Sequence, residues 1–155
     1  MLSARLVRMI EDNAEQLTRA VIDELLKNPR TPAYHKLTRE EIRHRVYDVY
    51  HNLGNWLSHG TEDVIEAFYT RLGRERAADN IPLSEVICAL TLTKNRLFDY
   101  ARSAGTVDTA VDLYEHQELR LLVSNFFDKA IFYTARGYER ELMPAPEVSQ
   151  LASKV

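Results

Sequence analysis

Three residues, Asn80-Ile81-Pro82, constrain this chain more than any others. They sit between two runs of helically spaced apolar residues. Pro82 suits the first turn of a helix, where its missing N–H leaves nothing unsatisfied. Asn80 is able to close the preceding helix in the left-handed conformation. The spacing therefore predicts two helices meeting at a sharp corner. After the corner, Val86, Ile87, Leu90, Leu97, Phe98 and Ala101 recur with the period of one buried helix face. Lys94 falls inside that stripe. The commoner arrangement for such a lysine is a packed stem with its ammonium in water; the other is a polar handle in a pocket.

The same rhythm governs the rest of the chain. A first helix is expected over about Leu2–Leu26, with Leu2, Leu6, Met9, Ile10, Leu17, Val21 and Leu25 inward. Val7, Ile22 and Leu26 widen its stripe enough for a partner to cover a second surface. Asn28-Pro29-Arg30-Thr31-Pro32 ends it. A second helix starts at Thr38, where Thr38 and Glu41 have capping-box spacing, and runs to His59-Gly60. Its inward face is Ile42, Val46, Val49, Tyr50, Leu53, Trp56 and Leu57. A third helix, about Glu62–Asp79, is capped by Thr61 and buries Val64, Ile65, Phe68 and Leu72, with Tyr69 and Arg76 at the edge. Arg76 is expected to make an ion pair or to bond helix-end carbonyls. The fourth helix is Pro82–Ser103, stopped by Ala104-Gly105.

The last helical region begins at Thr106. Ala110, Leu113 and Tyr114 are out of phase with the apolar residues from Leu119 onward, which predicts a break near Glu115–Gln117. A long helix then runs to about Leu142, burying Leu119, Leu122, Val123, Phe126, Phe127, Ala130, Tyr133 and Thr134. Ile131 and Tyr138 lie off the centre of that face and are the candidate dimer interface. Residues 1–143 form one domain and 144–155 a Pro-containing tail, expected to be mobile. No alternating Val/Ile/Thr pattern is present, so the expectation is an all-α domain of five to six helices and no strands.

Composition closes off several functions. The net charge is −3 over 155 residues, which gives no electrostatic footprint for nucleic acid. A single cysteine, Cys88, excludes an internal disulfide and a Cys-rich metal site. No apolar run approaches the roughly 20 residues of a membrane span. The opening MLSARLVRMIEDN interrupts its apolar pattern with charges and does not read as a signal peptide. These features lead to the expectation of a cytoplasmic protein. There is no Gly-rich phosphate loop, H-E-x-x-H or G-x-S-x-G, so no enzyme is expected. His44, Asp48 and His51 share a face with spacing that can hold a metal, but a solvated polar face explains them as well, and no metal site is assigned. An exposed His44 or His51 would also suit a histidine phosphotransfer protein, the alternative function.

The segment L-G-R-E-R-A-A-D-N-I-P-L-S-E-V, residues 72–86, resembles the N-terminal domain of the stressosome RsbR-type proteins, co-antagonists of the RsbT kinase. A looser resemblance runs from about Arg39 through Glu141 and takes in A-R-G-Y-E-R-E near the end of the last helix. The resemblance implies a globin-like fold without haem and a dimeric sensory module, usually followed by a STAS output domain. No output domain follows within these residues. The function expected is a non-enzymatic, dimeric signalling domain that binds a small molecule or a protein partner and has no cofactor. Any ligand is expected between the second, third and fourth helices, with Trp56, Phe68, Leu72, Leu90 and Phe98 as walls and Lys94 as the polar handle; otherwise these residues fill the core. Haem is not expected. Arg74–Asn80, where a globin carries its axial histidine, contains no His, Cys, Met or Tyr, and the third and fourth helices contain no histidine. Tyr50 and Tyr69 sit on apolar stripes, where tyrosines usually pack.

Overall fold

The computed structural model describes residues 1–143, and all regular structure among them is helical. Seven α-helices follow in order: α1 Ala4–Asp12, α2 Ala14–Lys27, α3 Arg39–His51, α4 Leu53–Ser58, α5 Glu62–Ala78, α6 Leu83–Ala104 and α7 Ala110–Leu142. A 3-10 turn, Pro32–Lys36, joins α2 to α3. The all-α expectation holds, in an arrangement consistent with the globin-like one implied by the resemblance. The 144–155 tail lies outside the described residues.

The corner at Asn80 forms as the sequence predicts. Asn80 has φ 59°, the single positive value among the described non-glycine residues. The Ile81 N–H donates to the Arg76 carbonyl at 3.0 Å and the Asn80 N–H to the Ala77 carbonyl at 3.1 Å. That pair of bonds is a Schellman motif, and it satisfies the last carbonyls of α5. Pro82 then supplies the carbonyl that starts α6, accepting from Glu85 and Val86. Capping boxes open α3 at Thr38 with Glu41 and α7 at Thr109 with Asp112.

Three expectations about helix continuity are corrected. The first helix is two, broken at Asn13, whose side-chain amide donates to the Met9 carbonyl and to the Tyr100 hydroxyl. The second is also two, broken at Asn52, whose amide donates to Asp48. In both places an asparagine offers the backbone a local side-chain alternative to helix. Conversely, α7 runs unbroken through Glu115–Gln117. The out-of-phase residues, Leu113 and Tyr114, are simply exposed.

Two stripes differ from expectation. Val7 and Ile22, expected to wait for a partner, are buried within their own chain, while Leu2 is exposed. In α5, Val64 is exposed, whereas Tyr69 and Arg76, expected at the edge, are buried. The helix is turned so that Ile65, Tyr69, Leu72 and Arg76 face inward.

The element that turns it is α7. The α5–α7 interface is the most extensive among the described residues. The helices run parallel: Glu62 pairs with Lys129 at 2.9 Å, Glu66 with Arg136 at 2.5 Å, and Arg74 with Glu141 at 3.2 Å. At the contact itself Gly73 lies on the Thr134 carbonyl and Gly137 on that of Thr70, so closely that a Cβ at either position would overlap the opposing backbone. Close backbone approach of this kind requires glycine. Gly73→Ala is therefore expected to destabilise the fold by about 2 kcal/mol or more, the overpacking cost outweighing a helix-propensity gain of about 1 kcal/mol. Gly54 faces only side-chain atoms at ordinary contact, so Gly54→Ala is expected to be neutral or mildly stabilising. Urea denaturation of the two variants checks the contrast.

Candidate functional site

The inward stripe of α5 forms one wall of a cavity of about 30 Å³. Val46 and Val49 of α3, Val86 and Leu90 of α6, and Leu25 of α2 supply apolar walls, with Leu72 between them. Five polar side chains also line it: Tyr34 from the 3-10 turn, Arg45 from α3, Tyr69 and Arg76 from α5, and Thr93 from α6, whose hydroxyl donates to the Ala89 carbonyl at 2.8 Å. No acidic residue among the described residues does.

Each polar group is held differently. Arg45 donates to Glu75 at 2.9 Å and to the Phe68 carbonyl at 3.3 Å, and its guanidinium lies 4.5 Å from the centre of the Phe68 ring. Arg76 is 6% exposed; it meets Asp79 at 3.4 Å and the Glu41 carbonyl at 3.3 Å. The expected ion pair is present, and the carbonyl it reaches belongs to the first turn of α3. Its Nε has no hydrogen-bond partner among the described residues. Tyr34 lies against Arg76; burial pushes its phenol up, and the neighbouring guanidinium partly offsets that. Tyr69 is 1% exposed, and its hydroxyl too has no partner among the described residues. Burial pushes the Tyr69 phenol well above its ordinary range; Asp48 adds to this and Arg45 opposes it. A buried neutral phenol and a buried N–H thus stand without acceptors among the described residues at the edge of a cavity whose walls are mainly apolar.

A family model described as the RsbT co-antagonist protein rsbRD N-terminal domain matches residues 11–143. The chain belongs to this family. Neither a curated protein nor a solved structure gives a significant match. Membership supports a stressosome signalling role for the domain, and the match spans the helical body from the end of α1 through α7.

Within this RsbRD-type domain the residues singled out from sequence divide into three places. Leu72 and Leu90 line the cavity. Trp56 and Phe68 stand beside it in an aromatic cluster, edge to face at 5.1 Å, with Phe126 5.3 Å from Trp56. The Trp56 indole N–H donates to Asp48 at 3.1 Å. Phe98 lies elsewhere, in a groove with His116 and under the Arg120 guanidinium. Lys94 is half-buried on α6 and does not line the cavity; the polar residue that α6 contributes there is its neighbour Thr93. Of the dimer pair, Ile131 is half-buried, while Tyr138 packs into its own chain and donates its hydroxyl to the Ile81 carbonyl at 2.6 Å. The Asp48 carboxylate accepts from Asn52 and Trp56, and the His51 ring stacks on Tyr47 at 5.0 Å. His44 is exposed.

Sequence reasoning missed Tyr34 and Tyr69 as cavity residues. The usable signal was the i, i+3, i+7 relation of Tyr69, Leu72 and Arg76, which places all three on one helix face.

Glu75 provides the electrostatic check on this wall. Burial raises its carboxyl pKa, but Arg45 and Arg71 outweigh that and hold it below the ordinary 4.5. A depressed folded-state pKa gives stability that is fully present above the unfolded value and lost as pH falls through the folded one. Wild type is thus expected to exceed Glu75→Gln in stability by a constant margin above pH about 4.5, and the margin to close on further acidification. Thermal melts of both proteins at stepped pH measure this; a margin independent of pH would contradict it.

Proposed function

We propose that this domain is a non-enzymatic, haem-free sensor of the stressosome type that works in the cytoplasm as a homodimer and responds to a small molecule or a protein partner. The family match over residues 11–143 carries the reading. Its setting in water is supported by the absence, among the described residues, of any helix long and apolar enough to cross a membrane.

The haem-free part is supported by scale. The cavity measures about 30 Å³, whereas cofactor and ligand clefts usually reach roughly 300 Å³ or more. Of the two tyrosines considered as iron ligands, Tyr50 already donates to the Thr93 carbonyl at 2.7 Å. Titration with hemin is expected to give no saturable Soret shift.

Dimerisation is supported by the outer face of α7. Tyr114, Leu121 and Phe132 are 60%, 61% and 57% exposed, and they fall on one helical stripe, with Ile131 beside the last of them. Such a stripe on a two-fold axis buries itself against its copy. Tyr138 would support that surface from beneath rather than meet the partner. Sedimentation equilibrium is expected to give a dimer at micromolar concentration, and Leu121→Glu to weaken it at least tenfold without lowering helix content. A wild-type monomer near 17.9 kDa would remove the dimer. Stable phosphohistidine at His44 or His51 after incubation with kinase or phosphodonor would replace the sensor reading with phosphotransfer.

A further inference from the structure

The cavity beside α5 presents carbon rather than polar atoms. Most of the surface it exposes is apolar. Leu25, Val46, Val49, Leu72, Val86 and Leu90 supply that surface from α2, α3, α5 and α6, and each of them is buried. The polar side chains along the wall are engaged elsewhere. Arg45 is held by Glu75 and the Phe68 carbonyl, and Arg76 by Asp79 and the Glu41 carbonyl. The Thr93 hydroxyl is held by the Ala89 carbonyl. The unpartnered donors, the Arg76 Nε–H and the Tyr69 hydroxyl, have essentially no accessible surface, so they offer a guest in the cavity almost nothing to bond. A buried water needs about two to four polar partners, and an apolar cavity without them stays dry.

We propose that this cavity is a binding site for a small neutral apolar molecule of roughly one to three heavy atoms, in the size range of xenon, dioxygen or ethylene. The proposal rests on the sensor reading only for its purpose in signalling; the binding belongs to the chain itself. Polarity decides the class. An ion or an amide loses its hydration on entry and recovers few hydrogen bonds there. An apolar guest leaves water at no such cost and gains close contacts with the wall. Atoms that line an empty space forfeit those contacts, and a guest of matching size restores them. Size sets the limit. A cavity of about 30 Å³ holds roughly two to three water-sized groups, whereas benzene occupies an apolar cavity of roughly 150 Å³. Access is from the side of Arg45 and Ala89, the lining residues that are half-buried rather than buried.

The test uses the 155-residue chain with xenon as the first probe. Methyl signals are followed by two-dimensional NMR as xenon pressure is stepped. Ethane, propane and benzene then form a ladder of size, with methanol and sodium acetate as polar controls. The expected result is saturable shifts for xenon and ethane, centred on the methyls of Val46, Leu72, Val86 and Leu90. Benzene, methanol and acetate should give no saturable response there. Val46→Ile combined with Val86→Ile adds bulk to the wall and should weaken xenon at least fivefold. The ladder is read on the wild-type chain alone, so it decides the matter even where the double variant loses its cooperative melting curve. No saturable shift for xenon or ethane, or shifts spread evenly over all buried methyls, would overturn the site. An equal xenon response in wild type and a cooperatively melting double variant would do the same. Saturable binding of methanol or acetate at these methyls would overturn the apolar class, and saturable binding of benzene the size limit. Failure here leaves the dimer and phosphorylation results unaffected, so it is distinguishable from failure of the sensor reading.

Discussion

The α5–α7 contact fixes most of what this molecule can be. At Gly73 and Gly137 the two helix backbones touch, and neither residue has room for a side chain. The contact runs as a stripe of Glu66, Thr70 and Gly73 on α5 against Thr134, Arg136 and Gly137 on α7. Interhelical distance is normally set by side chains at the crossing. Here it is set by backbone, which defines the rotation of α5 about its own axis. The neighbouring stripe, Ile65, Tyr69, Leu72 and Arg76, is then aimed at α3 and α6. The same contact delivers Tyr138 to the carbonyl of Ile81, so α7 also fastens the corner at which the chain turns into α6. Packing, turn and cavity wall follow from one geometric fact.

That fact explains how a guanidinium comes to be nearly buried at Arg76. Sequestering a cation is unfavourable unless geometry and hydrogen bonds offset the lost hydration. Arg76 recovers part of this through the Glu41 carbonyl, Asp79 and the Tyr34 ring. These contacts tie together the first turn of α3, the end of α5 and the 3-10 turn. The residue could reach water if α5 rotated outward, but the glycine contact prevents that rotation.

The parts of this structure legible in the sequence are those written in apolar spacing and turn chemistry. Asn80 and Pro82 announce the corner because each has one conformation it suits better than its alternatives. Thr38 with Glu41 announces α3 in the same way. The α5–α7 interface is not legible, since its stripe consists of small and polar residues that carry no hydrophobic period. With that stripe unseen, the apolar set Val64, Phe68 and Leu72 takes its place, and Tyr69 and Arg76 fall to the edge. The breaks at Asn13 and Asn52 are hidden because the inward residues on either side keep their phase across them. The expected break at Glu115–Gln117 comes from treating Leu113 and Tyr114 as core; they are part of an outward face, which a pattern cannot distinguish from an inward one. In the site, Leu72 and Leu90 are legible because they are apolar and periodic. Lys94 draws the role of polar handle because it interrupts an apolar stripe conspicuously, while Arg76 stands beside other charges and is read only as an ion-pairing or helix-end residue.

The two stripes of α5 are offset by a single residue, and this joins the cavity to the outer face of the molecule. Tyr69 and Leu72 belong to the wall of the cavity; Thr70 and Gly73, one position on, belong to the α7 contact. A displacement of α5 toward or away from the cavity therefore cannot be absorbed at its far side, where backbone meets backbone and there is no side chain to change rotamer. It must be passed to α7 as a rigid shift, or to the Asn80 corner as a change in the bonds at Arg76, Ala77 and Ile81. Packed interfaces respond to small displacements by switching rather than by stretching. α7 carries the exposed Tyr114, Leu121 and Phe132 on the side opposite this contact. A domain built this way has its inner cavity wall and its outermost apolar stripe one helix-to-helix contact apart, and that contact is the most extensive among the described residues.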